Sequence, residues 1–394
     1  MSDLRRPFGL YLHWPFCAAK CPYCDFNSHV RERIEHQRWH GGLLAALDRA
    51  AAPLAGRRLD SIFFGGGTPS LMPAETVDAL IARTRHWFDC ADDLEVTLEA
   101  NPTSAEAERF KGYHAAGVNR LSLGIQALDE EALRFLGRKH DRAEAEAAIA
   151  LAHSAVPRVS FDLIYARPGQ SVAAWMEELD QALVLAAGHL SLYQLTIEAG
   201  TKFETQAARG DLTIPDDDAA GELWEATQQR LMAAGMPGYE ISNHARAGQE
   251  SRHNLVYWRY GDFLGVGPGA HGRITRGDTK MATRQHKAPE TWLAAIEAGQ
   301  DGMAEVSEID RAARREELVM MGLRLAEGIP FTRFERELGP AVRPWFQERT
   351  LAALVEGGFI TLEQERLTAT PAGRQRLNAV LEWLLADGHT PFDA

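Results

Sequence analysis

The sequence predicts an α/β protein: a partial (β/α)6 barrel of the TIM type, followed by a C-terminal, mainly helical, winged-helix-like domain. Two observations support this fold class. Short β-rich runs alternate with helical patterns through residues 1–200, which is typical of a parallel sheet built from βα units. Six such units are present, fewer than the eight of a closed TIM barrel, so we expect an open barrel.

The predicted strands of the barrel end where polar or glycine-rich residues begin. Residues 65–70 follow the second strand in this way, and Pro73 marks the start of the helix after it. The helix after the third strand closes at Gly117. The predicted strands are residues 10–14, 59–64, 94–98, 120–125, 159–165 and 189–197, and the helices after the third, fourth and fifth strands are residues 104–116, 129–136, 141–154 and 171–187.

Residues 201–307 form a predicted extension of the barrel. An acidic N-cap at residues 215–218 precedes a helix at 219–234. The glycine-rich segment 261–272 contains a G-x-G-x-G pattern that lacks the flanking strand and helix of a dinucleotide-binding fingerprint. We therefore expect a loop with tight backbone packing there, and no nucleotide site.

Residues 308–394 form the predicted C-terminal domain. Its helices carry charges of both signs, which favours a protein-binding or lid domain over a DNA-binding one. The predicted helices are residues 316–325, 343–356 and 371–385, and the β-prone pair is 358–362 with 366–370.

The composition is that of a globular protein from a reducing compartment, with 45% hydrophobic and 25% charged residues among 394. No apolar stretch approaches the ~20 residues that span a bilayer, and no apolar signal region follows Met1. The net charge of −13 argues against nucleic-acid binding. Few cysteines and no signal region predict a cytoplasmic protein. The oligomeric state and peripheral contact with a membrane stay open.

Three of the four cysteines form a C-x3-C-x2-C triplet, Cys17, Cys21 and Cys24. Three thiolates this close, with no fourth cysteine nearby, are suited to a [4Fe–4S] cluster in which one iron has no protein ligand. An open iron is a place where a small molecule can bind and react. The triplet therefore predicts chemistry at the cluster rather than simple electron storage.

Other interpretations of the triplet remain open at this point. His13 or His29 could complete a zinc site, although structural zinc sites usually pair two knuckles. Cys90 could supply a distant fourth cluster ligand, but its amphipathic surroundings favour a buried small residue. A disulfide is the least favoured interpretation, because three cysteines within eight residues fit no disulfide framework.

Polar residues gather where the predicted strands end. In barrels of this kind the carboxyl ends of the strands form the ligand-binding rim, so we expect one shared site there. Taken singly, Glu99 could cap a turn and Asp162 could be a satisfied core carboxylate. The residues at or just beyond strand ends are Cys17, Gly66, Thr68, Glu99, Gln126 and Asp162.

S-adenosylmethionine fits such a rim, because its amino and carboxylate groups can chelate the open iron. An electron from the cluster would then release a deoxyadenosyl radical from its sulfonium. The glycines at 65–67 allow close backbone approach to its amino group. Glu99 and Asp162 are suited to the ribose hydroxyls or the ammonium, and Arg138 to the carboxylate. Gln126 is suited to polar edges, and Tyr11 could support the cluster side.

Five motifs in this order resemble the radical S-adenosylmethionine superfamily, and within it the oxygen-independent coproporphyrinogen III oxidase group. The resemblance extends from about Tyr11 into the C-terminal domain. The motifs are Cys-x3-Cys-x2-Cys at 17–24, Gly-Gly-Gly-Thr-Pro at 65–69, Leu-Glu-Ala-Asn-Pro at 98–102, Ser-Leu-Gly-Ile-Gln at 122–126 and Asp-Leu-Ile-Tyr-Ala-Arg-Pro-Gly-Gln at 162–170. The resemblance implies that Cys17, Cys21 and Cys24 hold the cluster, and that S-adenosylmethionine contacts Tyr11, Gly66, Gly67, Thr68, Glu99, Gln126, Arg138 and Asp162.

Two departures indicate a branch of heme chaperones within this group. The decarboxylating oxidases continue as Cys-x-Cys, where this chain has Phe26, and only 16 residues precede Cys17. Residues 253–258 read His-Asn-x-x-Tyr-Trp, as in the chaperones, which implies a heme contact at His253. The resemblance thus implies heme and heme-accepting protein partners.

Two other functions are kept as alternatives. One is oxidative decarboxylation of coproporphyrinogen III by radical chemistry, for which an electron donor would be a further partner. The other is a zinc-stabilised scaffold whose C-terminal domain recruits partners. Whether the chain is an enzyme is left open by the sequence.

Overall fold

A sheet of 11 strands is the centre of the structure, a computed structural model that describes residues 5–339 and 346–386. Two smaller sheets accompany it. The strands are β1 Phe8–Trp14, β2 Phe16–Cys17, β3 His29–Val30, β4 Arg58–Gly66, β5 Asp89–Ala100, β6 Arg120–Gln126, β7 Arg158–Tyr165, β8 His189–Gln194, β9 Asn243–Ala245, β10 Asp262–Val266, β11 His271–Arg276, β12 Thr279–Gln285, β13 Met303–Ile309, β14 Ile329–Pro330, β15 Ile360–Thr361 and β16 Arg366–Ala369.

The order of the main sheet is β13-β12-β11-β10-β1-β4-β5-β6-β7-β8-β9. The six predicted strands are consecutive parallel neighbours from β1 to β8. Strand β10 joins β1 in parallel on its other side, while β9 and β11–β13 pair antiparallel. The edge strands β9 and β13 do not pair with each other in this sheet. The prediction of an open, partial barrel is confirmed.

The prediction of a loop over residues 261–272 is wrong, because β10 and the start of β11 lie within them. Glycine is depleted in strands, so the glycine-rich composition hid these strands. At Gly265 a Cβ would lie 1.9 Å from the carbonyl oxygen of His271. Glycine therefore allows β10 and β11 to approach each other closely.

Helices cover the strands of the barrel and make up most of the C-terminal region. The single helix predicted over 104–116 is two helices in the structure, and α1 was not predicted. The first three residues of the helix predicted over 343–356 lie outside the described residues. The helices are α1 His36–Ala51, α2 Ala74–Trp87, α3 Ser104–Ala107, α4 Phe110–Ala115, α5 Glu130–Phe135, α6 Arg142–Ala155, α7 Val172–Leu185, α8 Lys202–Ala208, α9 Asp217–Ala233, α10 Arg252–Trp258, α11 Pro289–Glu297, α12 Arg311–Gly322, α13 Phe331–Leu338, α14 Glu348–Glu356, α15 Pro371–Gln375 and α16 Leu377–Leu385.

An aromatic cluster fixes the chain just before the first cysteine. Phe16 packs edge-on against Trp39 of α1, with ring centroids 5.0 Å apart. Trp39 in turn stacks on Trp292 of α11 at 5.8 Å. All three side chains are buried, and each burial stabilises the fold by roughly 1.5–3 kcal/mol. The position of Cys17 therefore follows from the packing of its neighbour Phe16 against α1, which is supported in turn by α11.

The C-terminal region has its own hydrophobic core and a three-stranded sheet, β14-β16-β15. The predicted β-prone pair is confirmed as β15 and β16, which pair antiparallel. Among the helices of the described ranges, none has both the length and the apolar character that crossing a bilayer requires.

Candidate functional site

The three cysteines lie in one loop at the carboxyl end of β1. Cys17 ends the short strand β2, and Cys21 and Cys24 follow before β3. The backbone N–H of Cys24 donates to the carbonyl of Cys21 at 3.2 Å. Burial raises the pKa of the Cys17 and Cys24 thiols, so in this environment their thiolates need a positively charged partner such as iron.

A chain of hydrogen bonds connects two of these cysteines across the rim. Thr68 donates its hydroxyl to the sulfur of Cys17 at 3.4 Å, and Asn101 donates its amide to Thr68 Oγ1 at 3.1 Å. Arg138 donates to Asn101 Oδ1 at 2.7 Å and to the sulfur of Cys21 at 3.3 Å. We call these five residues the rim network. Sequence reasoning missed Asn101, although it lies in the quoted Leu-Glu-Ala-Asn-Pro motif.

Arg138 was expected to hold a carboxylate with two donors, but here both terminal nitrogens bind the protein. Besides Cys21 and Asn101, its guanidinium donates to the carbonyl of Gly124 at 2.7 Å. Its Nε is buried and has no hydrogen-bond partner among the described residues. Three of the five N–H groups of Arg138 therefore bind the protein and fix its position beside the cysteine loop, which leaves at most two donors for a ligand.

The glycine-rich end of β4 packs directly against the cysteine loop. Gly67 donates its N–H to the carbonyl of Trp14 at 2.7 Å, and Thr68 donates to that of Phe16 at 2.8 Å. A Cβ on Gly67 would lie 2.6 Å from the carbonyl oxygen of Phe16. Gly66 has a φ of +117°, in the region that favours glycine. These two glycines are therefore required by the contact with the cysteine loop, before any ligand is considered.

Two half-buried carboxyl groups, Glu99 and Asp162, face the same space beside Gly66. The N–H of Gly66 donates to Glu99 Oε2 at 3.2 Å. Burial and the nearby Asp162 raise the pKa of Glu99 to about 8. Burial raises the pKa of Asp162 to about 6, against the lowering effects of Ser191 and Arg120. Such a pair favours a cationic ligand, since a positive charge would allow both groups to ionise.

Tyr11 and Gln126 are two further predicted contacts. Tyr11 donates its hydroxyl to His13 Nδ1 at 2.9 Å, and His13 Nε2 donates to the carbonyl of Asn27 at 2.9 Å. Burial lowers the pKa of His13 to about 4, so the ring is neutral and its two nitrogens have these different roles. Tyr11 is thereby connected to the cysteine loop. Gln126, at the end of β6, has a φ of 75°, a left-handed conformation that is uncommon outside glycine.

His253 is buried in the barrel interior at 1% exposure, with its ring centroid 6.5 Å from that of Tyr11. Its Nδ1 pairs with Ser61 Oγ at 2.8 Å, and its Nε2 pairs with the Tyr257 hydroxyl at 2.8 Å. The ring stacks on Phe63, and burial lowers its pKa to about 3. In this placement one of the two hydrogen bonds would have to break before either nitrogen could bind iron, and the heme contact implied for His253 stays a prediction.

A search of the described residues finds no group of three histidine, cysteine or acidic side chains that could hold a metal ion. An iron–sulfur cluster makes a different demand from a single ion, because each cysteine binds its own iron. The residues around the triplet fit that demand, since two of the sulfurs already accept hydrogen bonds from the rim network.

Comparison with protein families gives two matches along this chain. Residues 11–182 match the Radical SAM superfamily. Residues 309–376 match the HemN C-terminal domain. The first match contains all three cysteines and the rim network, and the second lies in the helical C-terminal region.

Two relatives are similar to this chain over nearly its full length. The heme chaperone HemW of Haemophilus influenzae is 38% identical over 390 residues, which covers 97% of this chain and 98% of the relative. The mouse protein called radical S-adenosyl methionine domain-containing protein 1, mitochondrial, is 38% identical over 386 residues, or 96% of this chain and 87% of the relative.

Among solved structures, the coproporphyrinogen III oxidase HemN of Escherichia coli resembles this one with a TM-score of 0.79. The similarity covers 96% of this chain and 90% of that one, at 22% sequence identity. At this identity the likeness establishes a shared fold and leaves the activity to the site itself.

Proposed function

Since the chain belongs to the HemN-like group of the radical SAM superfamily, to which the heme chaperone HemW also belongs, we propose that it is a heme chaperone. In this proposal it holds a [4Fe–4S] cluster and S-adenosylmethionine, binds heme and passes the heme to acceptor proteins. The observation that carries the proposal is the rim network around the cysteine triplet, combined with 38% identity to chaperones along the whole chain.

Cys17, Cys21 and Cys24 would hold the cluster in this proposal. When bound, a cluster with one open iron can pass an electron to the sulfonium of S-adenosylmethionine. Hydrogen bonds from Thr68 and Arg138 stabilise negative charge on two of the sulfurs, and such bonds tune a cluster's reduction potential. The protein therefore sets both the position and the potential of the cluster.

Glu99 and Asp162 would receive the cationic part of S-adenosylmethionine. At neutral pH the carboxyl group of Glu99 is largely protonated, because its pKa is about 8. A cationic ligand favours the ionised form, so binding should release a proton from this group. Gly66 orients Glu99 through its backbone N–H.

The three parts of the chain have distinct roles in the proposal. Residues 1–200 hold the cofactors, residues 201–307 extend the sheet on both sides, and residues 308–394 form the C-terminal domain. Free thiolates and an oxygen-sensitive cluster require a reducing compartment such as the cytoplasm. Heme-accepting proteins are the partners, and an electron donor is needed only if radical chemistry occurs.

Coproporphyrinogen oxidation is the alternative function, because the coproporphyrinogen III oxidase HemN has the same fold. Because one fold can serve several activities, the two functions are compared on a single sample. The protein is reconstituted anaerobically with iron and sulfide, and about four irons per chain are expected. The same preparation is then titrated with heme and assayed for conversion of coproporphyrinogen III with S-adenosylmethionine and a reductant.

The proposal predicts a saturable heme absorption change and no protoporphyrinogen. A sample that contains the cluster but shows no heme binding would overturn it. Protoporphyrinogen formation without heme binding would establish the oxidase instead. Iron below one per chain together with bound zinc would support the scaffold interpretation.

A further inference from the structure

The cysteine loop and the β11–β12 hairpin meet at the carboxyl end of the barrel. Asn27 donates its side-chain amide to the carbonyls of Pro268 and Lys287, at 2.9 and 3.0 Å. A Cβ on Gly269 would lie 2.4 Å from that amide nitrogen. We call the surface formed by residues 25–31, 268–271 and 284–287 the mouth surface.

His271 is the exposed histidine of the mouth surface. Its ring makes no hydrogen bond with any residue that the structure describes, unlike the ring of His253. His271 and His29 are both near enough to act electrostatically on the buried His13. His29 Nε2 is already paired with Asn27 Oδ1 at 3.3 Å. His271 therefore offers an available imidazole at the end of the barrel where the cysteines lie.

Cations surround this imidazole although the whole chain is acidic. Arg273, Arg284 and Lys287 act on His271 electrostatically, against one carboxylate, Glu305. Both arginines have carboxylate partners at 2.8–2.9 Å. Lys287 has none among the described residues, so its ammonium is available to an anionic ligand.

The cysteine loop adds apolar area and further positive charge to the mouth surface. Phe26 is 59% exposed and Val30 is 51% exposed. Lys20 and Arg31 act on the neighbouring His29 and have no carboxylate partner in the described part of the chain. Phe26 and Val30 thus give one loop of the mouth surface two exposed apolar side chains that a ligand could cover.

From these observations we propose that the mouth surface is a heme site, in which His271 binds the iron and Lys287 and Arg31 face the propionates. Phe26 and Val30 would contact the apolar face of the macrocycle. An imidazole, unpaired cations and exposed apolar side chains suit the iron, the propionates and the macrocycle of heme, respectively. The site is on the surface, which suits a protein that must release its ligand. This inference rests on the proposed function.

The test is an anaerobic heme titration of the cluster-loaded protein and three variants. His271→Ala should weaken heme binding at least about tenfold and change the Soret band. Added imidazole should restore the band of the bound form by occupying the vacated axial position. His153→Ala, an exposed histidine on the outer helix α6, is the matched control and should bind as the wild type does. Iron content is measured for each variant, to show that the cluster is retained.

Lys287→Glu tests separately whether the positive charge at residue 287 contributes to heme binding. It should weaken binding of heme but leave binding of heme dimethyl ester, which lacks free propionates, nearly unchanged. If the wild type binds heme and His271→Ala binds it equally well with an unchanged Soret band, this inference fails while the proposed function stands. If the wild type binds no heme, the proposed function itself fails.

Discussion

Asn101 joins the two sides of the site through one amide group. Its nitrogen donates to Thr68 and its oxygen accepts from Arg138, so it links the partners of Cys17 and Cys21. The two cysteines are thereby held in register by side chains from the segments that follow β4, β5 and α5. The Asn101 amide therefore helps to fix the geometry of the cysteine loop.

Replacing Asn101 by Ala should weaken the hold on the cluster without unfolding the barrel. Loss of two hydrogen bonds that position cluster ligands should cost about 1–3 kcal/mol. We expect roughly tenfold faster loss of the cluster to a chelator, measured by the decay of its absorbance. Asn101→Asp keeps the acceptor for Arg138, so its rate of cluster loss should lie between those of the wild type and Asn101→Ala. Equal decay rates in all three proteins would contradict a positioning role.

Glu99 makes stability depend on pH in a predictable direction. Its pKa is about 8 in the folded chain, against about 4.3 in an unfolded one, so the folded state binds more protons between these values. The contribution of Glu99 to the free energy of unfolding is complete below about pH 4, and it is lost as the pH rises through about 8. Asp162, with a folded pKa of about 6, acts in the same direction.

The free energy of unfolding should therefore fall between about pH 5 and about pH 8.5, and fall less in Glu99→Gln. Urea denaturation of the protein without S-adenosylmethionine measures it. Parallel pH profiles for wild type and variant would show that Glu99 does not titrate in this range.

Most of the candidate site residues could be named from the sequence because they lie in local motifs. It could not show that Thr68 and Arg138 meet through Asn101, since these three residues come together only in the folded sheet. For His253, Tyr257 lies one helical turn away and could have been expected as a partner. Ser61, its second partner, is distant in sequence, so the burial of both ring nitrogens was not predictable.

Among the elements, the junction between β4 and the cysteine loop fixes the position of the proposed cluster ligands. Its two backbone hydrogen bonds leave no space beside Gly67, where a Cβ would lie 2.6 Å from a backbone oxygen. The backbone must move to admit a methyl group there. The site is thus sensitive to a single added methyl group, even though no polar or charged group is changed.

Gly67→Ala should lower cluster loading to less than about half, with a stability loss of about 1–3 kcal/mol from overpacking. The matched control is Gly41→Ala in the middle of α1, where no atom lies within 4 Å of the added Cβ. That change should retain the cluster and stabilise the helix by up to about 1 kcal/mol. Iron analysis and urea denaturation report both effects. Full cluster loading in Gly67→Ala would disprove the steric argument.

The order and type of the barrel elements were predictable because period-2 and period-3.6 patterns are strong there. Strand β10 was not, since glycine removes the side chains that define a strand pattern. Its position beside β1 follows from long-range pairing between Phe8–Leu12 and Asp262–Val266, which local sequence does not show.

At the scale of the whole molecule, buried charges hold the C-terminal region against the barrel. Lys280 of β12 is fully buried, 3.5 Å from Asp262 of β10 and 3.7 Å from the Tyr260 ring centroid. Arg6 lies 2.7 Å from Glu337 of α13. Burial lowers the pKa of Lys280 to about 8. The positive charges of this cluster balance its carboxylates only as long as every one of these side chains is present.

Lys280→Met should destabilise the protein by about 3–5 kcal/mol, because it leaves buried carboxylates short of a cation. The control Lys111→Met removes an exposed lysine on α4 and should change stability by less than about 0.5 kcal/mol. Urea denaturation compares the two. An equally small change in both variants would show that the buried network does not stabilise the assembly of barrel and C-terminal region.

Transfer of heme to a second protein tests the central claim most directly. The cluster-loaded protein is charged with heme, freed of excess heme and mixed anaerobically with a heme-free globin, whose absorption spectrum reports uptake. We expect the globin spectrum to grow as the heme leaves this protein, in step and without porphyrinogen turnover. Heme that never binds, or that stays bound while the globin remains empty, would contradict it.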